Sequence, residues 1–150
     1  MPEQEGGEVL QVDRQLDSTL DSVDAAETAV LEVAEKVGFE EEDLHKIGMA
    51  VRECMVNAVV HGNRYNARKK VHLHIWRGPE HIKVAIRDEG EGFDLSALPD
   101  PLAEENLLRQ SGRGLLLIQA FMDEFEVGRA EPKGTQATMV KRLRNGGTNS

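Results

Sequence analysis

The segment VRECMVNAVVHGN, residues 51–63, decides the fold because it sets polar side chains along the edge of a helix that otherwise faces a core. The apolar residues around it share helical spacing and form one stripe: Leu44, Ile47, Val51, Cys54, Met55 and Ala58. Glu53, Asn57 and His61 follow one another at steps of four, so they lie on neighbouring positions of the helix surface. They fit either a solvated helix edge or a site in which a carboxylate activates a hydroxyl and an amide oxygen binds Mg²⁺.

Two predicted strands follow, and their alternation fixes the direction of an acidic side chain. Residues 71–76 and 82–87 alternate apolar and polar side chains, which predicts a hairpin with one buried face. Asp88 has the same parity as Ile86, so it is predicted to point toward the core. A carboxylate rarely lies there without a partner.

The glycine-rich segment DEGEGF, residues 88–93, ends the second of these strands. An inward Asp88 can accept a hydrogen bond from an exocyclic amine such as that of adenine. Gly90 and Gly92 would let a flat base approach closely because they have no Cβ. The same residues also fit an ordinary turn in which Asp88 caps the strand end.

The N-terminal part of the chain is predicted as a strand followed by a helix. Residues 9–16 fit a short edge strand, and residues 21–39 have helical spacing. Asp24 and Glu27 are placed as a capping box at the start of this helix, and Gly38 as its left-handed end.

A long connection, residues 95–111, precedes the third predicted helix. Gly112, Arg113 and Gly114 stand at the start of that helix, where free N–H groups favour an anion and an arginine suits a phosphate. Glycine before a helix is common, and the chain lacks the GxxxxGK[ST] motif of a P-loop. Thr135 opens the final strand, where its hydroxyl can reach a base pocket.

The order of elements predicts the fold class. Helices, a hairpin, a third helix and two closing strands indicate an α+β protein, a two-layer sandwich with three helices on one face of a mixed, mainly antiparallel sheet. We expect one domain over residues 9–143, with flexible tails at residues 1–8 and 144–150.

Composition narrows the class of partner. The net charge of −9 repels phosphate backbones, so direct binding of nucleic acid is not expected. No apolar run is long enough to span a membrane and no signal peptide is apparent, so we expect no membrane association and a cytoplasmic location. Cys54 is interpreted as a buried, reduced thiol.

Three side chains on the polar face of the hairpin are not assigned to a site. His72 and His74 share a face of the predicted strand. No cysteine or acidic residue stands at a spacing that would complete a set of metal ligands with them. Trp76 lies on the same predicted outer face and suits an interface. His61 is interpreted as structural, holding the end of its helix.

The motifs taken together resemble the Bergerat ATP-binding fold of the GHKL superfamily. The segments ExxxNAVVHGN, DEGEGF, GRGLLLIQAFMDEFE and GT, followed by MVKRL, look like the anti-sigma factor serine/threonine kinases of bacterial partner-switching modules. This resemblance covers nearly the whole chain. Histidine kinases differ in their helix motif and carry a phosphoacceptor-histidine domain, for which this chain has no room.

The resemblance implies a role for each motif residue. Glu53 would be the general base, and Asn57 would bind the Mg²⁺ that bridges the phosphates of ATP. Asp88 would accept from the adenine amine. The other ATP-binding residues implied by the resemblance are Gly90, Gly92, Gly112, Arg113, Gly114 and Thr135.

The resemblance also implies a function. The protein is expected to transfer phosphate from Mg·ATP to a serine of an anti-anti-sigma (STAS-type) antagonist, to sequester a sigma factor, and to form a homodimer. One alternative is a binding module that holds ATP and switches partners without phosphotransfer. Another is a detached catalytic domain of a histidine kinase, which would produce phosphohistidine.

Overall fold

The computed structural model describes residues 7–90 and 114–144 of the chain. Gly92, Gly112 and Arg113, together with the connection 95–111, lie outside the described residues.

Five strands form one sheet in the order β1-β2-β3-β5-β4. They are β1 (Val9–Leu16), β2 (Val71–Arg77), β3 (His81–Arg87), β4 (Glu124–Arg129) and β5 (Thr135–Arg142). Each pair of neighbouring strands is antiparallel. The predicted edge strand and both hairpins are therefore present, and their alternation gives the sheet one apolar face.

The helices cover that apolar face. They are α1 (Asp21–Val37), α2 (Glu41–Val56) and α3 (Gly114–Phe121), and α2 continues into a π-helical turn (Asn57–Gly62). The predicted stripe of α2 and the inward residues of β2 and β3 join one buried cluster. The predicted α+β two-layer class is confirmed. Within the described ranges, no helix combines the length and apolarity needed to cross a bilayer.

The start of α1 differs from the prediction. Gly38 does end the helix in the left-handed region, with φ of 112°. The capping box was wrong, since α1 begins at Asp21 and no side chain caps it. Asp24 and Glu27 instead accept hydrogen bonds from Arg52 of α2, at 2.8 and 2.6 Å. Asp24 and Glu27 therefore form ion pairs with another helix instead of capping their own.

Glu8 falls within the predicted tail 1–8, but it is buried. Its carboxylate lies 2.7 Å from His81 Nε2 and 3.5 Å from Lys83 Nζ on β3. A buried carboxylate is retained where cations compensate its lost hydration, so Glu8 packs as part of the domain.

Candidate functional site

Asp88 is the centre of the site, and the inward direction predicted for it is confirmed. The residue follows β3 and is buried, with 4% of its surface exposed. Its Oδ1 accepts hydrogen bonds from the backbone N–H of Gly90 at 2.9 Å and of Thr135 at 3.1 Å. Burial raises the pKa of the Asp88 carboxyl, and these two N–H groups offset part of that rise.

The second oxygen, Oδ2, has no hydrogen-bond partner among the residues that the structure describes. It faces the backbone of Gly62, where a Cβ would lie 2.9 Å from the Asp88 Cβ and closer still to the carboxylate. An unpartnered carboxylate oxygen at a buried position is expensive unless a ligand completes it. The backbone of Gly62 packs so closely against this carboxylate that no side chain fits between them.

Other glycines bring the surrounding backbone equally close. A Cβ at Gly90 would lie 2.7 Å from the Gly62 carbonyl carbon, and one at Gly134 would lie 2.9 Å from that of Asp88. Gly134 also has φ of 104°, a region that side chains disfavour. Thr135 contacts Asp88 through its main chain, since its carbonyl also accepts from the Asp88 N–H at 3.0 Å. The reach of its hydroxyl to a base stays a prediction.

The π-helical turn explains how Gly62 reaches Asp88. The sequence predicts a continuous α-helix up to Asn63, but the helix widens at Asn57, and the Asn63 N–H donates to Ala58 five residues back. Widening moves the last residues off the course of an α-helix. His61 is therefore exposed rather than continuing the polar row. It makes no hydrogen bond within the described part of the chain, so its predicted structural role is not supported.

Glu53 and Asn57 remain one turn apart at the end of α2. Both are half-buried. Gly114, the first residue of α3, packs against Glu53, and a Cβ there would lie 2.5 Å from Glu53 Oε1. Glu53 Oε1 therefore lies against the backbone of α3 at Gly114, one turn of helix from Asn57.

Asn63 is a residue of the site that sequence reasoning missed. Only 1% of it is exposed. Its side chain bonds Ser18, Lys70 and Glu89, which lie on three separate connections. An asparagine after a glycine at a helix end was the available signal, but Ser18 and Glu89, two of its three partners, lie 45 and 26 residues away in the sequence.

The histidines of the outer sheet face have acidic partners. His72 Nε2 lies 2.5 Å from Glu89 Oε2, and His74 Nε2 lies 3.1 Å from Asp13 Oδ1. Trp76 stacks on His74 and lies under Lys83 Nζ, 4.8 Å from the ring centroid. Within the described ranges, no group of three or more His, Cys, Asp or Glu side chains is placed to hold a metal ion.

Of the predicted site residues, the structure places six and brings them to two neighbouring positions. Asp88, Gly90 and Thr135 form the carboxylate pocket, whereas Glu53, Asn57 and Gly114 lie where α2 meets α3. The π-helical turn, which runs from Asn57 to Gly62, joins the two positions directly. Gly92, Gly112 and Arg113 lie outside the described residues.

Known proteins were compared with the chain. The family described as histidine kinase-like ATPase domain matches residues 16–141. The anti-sigma F factor of Oceanobacillus iheyensis is 35% identical over 104 residues, which cover 68% of this chain and 71% of that relative. The anti-sigma F factor of Bacillus thuringiensis is 37% identical over 106 residues, covering 69% of this chain and 73% of that relative.

A solved structure shows the same fold. The crystal structure of the RsbU and RsbW domains of a Mycobacterium tuberculosis protein superposes with a TM-score of 0.62 at 20% identity. The match covers 88% of this chain and 31% of that one. Membership of an ATPase family implies that the domain binds ATP. The chain belongs to the family of histidine kinase-like ATPase domains and, within it, to the group that contains the anti-sigma F factors.

Proposed function

We propose that the protein is an ATP-dependent serine kinase and an anti-sigma factor. In this proposal it phosphorylates a serine of an anti-anti-sigma (STAS-type) antagonist and binds a sigma factor, and the two partners exclude each other. The names of the relatives support the anti-sigma part. The placement of Glu53 supports the kinase part.

The observation that carries the proposal is the half-satisfied carboxylate of Asp88. Its Oδ1 is held by two backbone N–H groups, while Oδ2, which packs against the Gly62 backbone, accepts no hydrogen bond from the described residues. An exocyclic amine supplies the missing donor. Adenine fits this pocket because it presents such an amine at the edge of a flat ring, and the glycines let the ring approach.

Asn57 is proposed as the protein ligand of Mg²⁺. Its amide oxygen is a hard donor, and Mg²⁺ in nucleotide sites takes few protein ligands together with phosphates and water. The single amide and the absence of a ready-made metal cluster in the described residues fit that mode. The ion would neutralise charge on the phosphates of bound ATP.

Glu53 is proposed as the general base. It would accept the proton of the partner's serine hydroxyl as the serine oxygen bonds to the γ-phosphorus and the bond to the bridging oxygen of ADP breaks. Gly114 packs directly against this carboxylate, and a Cβ there would displace Oε1. Positioning of the hydroxyl and charge neutralisation would supply most of the rate, as in other phosphoryl transfers.

Three further parts complete the proposal: a basic partner, a homodimer and a cytoplasmic location. The net charge of −9 suits a basic region of a sigma factor. A homodimer and a cytoplasmic location follow from family resemblance.

The test is transfer of label from [γ-³²P]ATP to the purified antagonist, with Glu53→Gln beside the wild type. We expect Glu53→Gln to bind ATP within about threefold of wild type and to lose transfer by at least about 100-fold, because only the base is removed. Glu32→Gln is the control, since Glu32 is exposed on α1. An antagonist that stays unlabelled despite tight Mg·ATP binding would sink the kinase claim. Acid-labile label would point to phosphohistidine instead.

A further inference from the structure

Asn63 is buried at the junction of three connections, and neither the family motifs nor the proposed chemistry gives it a task. Its amide nitrogen donates to Ser18 Oγ at 2.9 Å and to the Lys70 carbonyl at 3.0 Å. Its amide oxygen accepts from the Glu89 N–H at 2.8 Å. Both donors and the acceptor are thus used, as a buried amide requires.

Ser18 extends this network away from the pocket. It is itself buried, and its hydroxyl donates to the Lys69 carbonyl at 2.5 Å. Ser18 lies in the connection between β1 and α1, and Lys69 and Lys70 precede β2. The amide of Asn63 is therefore anchored to backbone that does not belong to the pocket.

Glu89, on the other side of Asn63, is fixed at three points. Besides its N–H, which Asn63 holds, Oε1 accepts from the Lys70 N–H at 3.2 Å and Oε2 lies 2.5 Å from His72 Nε2. The hydrogen bond with His72 lowers the pKa of Glu89, which keeps this carboxylate ionised. Glu89 stands between Asp88 and Gly90, so anything that fixes Glu89 fixes the backbone on which the Asp88 carboxylate is mounted.

We propose that Asn63 is a positioning residue that sets the nucleobase selectivity of the pocket by holding the Glu89 N–H and thereby the place of the Asp88 carboxylate. The inference rests on the proposed function, in which Asp88 accepts from adenine. Adenine presents an amine there, whereas guanine presents a carbonyl oxygen that a carboxylate repels. Discrimination of that kind needs a carboxylate held within about half an ångström.

The experiment measures Kd for ATP and for GTP with the full chain, using Asn63→Ala and Asn66→Ala. Asn66 is the matched control because it lies in the same connection and also accepts a backbone N–H, that of Arg68, but it is exposed and does not touch Glu89. The ratio of the Kd for GTP to the Kd for ATP measures the preference for ATP. We expect this GTP-to-ATP ratio to fall about tenfold in Asn63→Ala and to stay at the wild-type value in Asn66→Ala. Partial unfolding lowers the apparent affinity for both nucleotides equally, so a merely structural role leaves the ratio unchanged.

A second variant tests whether Asn63 acts through Asp88. In an Asp88→Asn background, adding Asn63→Ala should leave the ratio where Asp88→Asn alone put it. A further fall of the ratio in the double variant would overturn the inference. If Asn63→Ala does not fold, Ser18→Ala decides, because it removes one anchor of the amide: a fall of about threefold supports the inference, and an unchanged ratio overturns it.

The wild type separates failure of this inference from failure of the proposed function. A wild type that binds no ATP, or that binds ATP and GTP equally, contradicts the proposed role of Asp88. A wild type that prefers ATP while Asn63→Ala keeps the full preference contradicts only the role of Asn63.

Discussion

The two ends of the β3–β5 pair each hold a charged side chain on the inner face of the sheet, and they are completed differently. At one end, Lys141 of β5 lies opposite Ile82 and is 3% exposed. At the other end, Asp88 follows β3 and is 4% exposed. Both charges have left water, so both need compensation from the protein or from a ligand.

Lys141 receives that compensation from two helices. Its Nζ donates to the Phe121 carbonyl at the end of α3, at 2.8 Å, and lies 3.9 Å from Asp43 Oδ1 in the first turn of α2. Among the described residues, Asp88 accepts hydrogen bonds from backbone N–H groups on one oxygen, and its other compensation comes from the nearby charges of Lys69 and Arg87. We call the Lys141 end the closed end and the Asp88 end the open end. If the proposed function holds, the closed end serves the architecture and the open end receives the nucleotide.

The largest effect is expected from Asp88→Asn. The amide keeps an oxygen for the Gly90 and Thr135 N–H groups, but it places an NH₂ where the adenine amine would donate. We expect ATP binding to weaken about 100-fold, or about 2.7 kcal/mol, measured by calorimetric titration. An affinity within a few-fold of wild type would mean that the open oxygen does not receive the base.

The same variant carries a pH test without nucleotide. Burial raises the pKa of Asp88 in the folded state above its value in the unfolded state, which is about 3.9. At a pH between these two pKa values, the native protein therefore binds more protons than the unfolded protein. The contribution of Asp88 to the free energy of unfolding is therefore fully present at low pH, and it is lost as the pH rises through the folded pKa. Asp88→Asn should be more stable than wild type at pH 7 and equal to it below about pH 3.9, as judged by urea unfolding. A less stable variant at pH 7 would show that the carboxylate serves the fold.

A smaller effect is expected from Gly62→Ala, which crowds the Asp88 carboxylate. The new methyl group would press on the carboxylate and displace it, so we expect about tenfold weaker ATP binding. Gly128→Ala is the control, because a Cβ at Gly128 meets nothing within 4 Å. Equal affinities for the two variants would show that the position of the Asp88 carboxylate does not affect nucleotide binding.

The comparison also shows what could be read from the sequence. The parity of β3 placed Asp88 inward, because a strand leaves only two directions for a side chain. The apolar stripe of α2 and the class of fold followed from spacing in the same way. These features depend on local geometry alone, and the structure agrees with them.

The features that were missed depend on partners distant in the chain. The step of four that included His61 assumed α-helical geometry, but the turn widens where Asn63 bonds Ser18, 45 residues away. The capping box failed because Arg52 binds Asp24 and Glu27 from another helix. In the sequence, Asn63 is only the last residue of the motif ExxxNAVVHGN. Its supporting role is inferred from its three hydrogen bonds, which are visible only in the structure.

The smallest effect concerns the closed end. Lys141→Met keeps the length of the side chain but removes the donor to the Phe121 carbonyl, so we expect a loss of about 1 kcal/mol in the free energy of unfolding. ATP affinity should stay within about twofold of wild type, because α3 meets Glu53 at its opposite end, at Gly114. Urea unfolding and the ATP titration together provide the measurement.

Lys46→Met provides the reference for a surface ion pair. Lys46 lies 3.9 Å from Glu42 one turn away on α2, a surface pair expected to contribute less than about 0.5 kcal/mol. If Lys141→Met weakened ATP binding as strongly as Gly62→Ala, the two ends of the strand pair would be one functional unit. If it stabilised the protein, the hydration lost by Lys141 would outweigh its two contacts, and the closed end would then need another explanation than architecture.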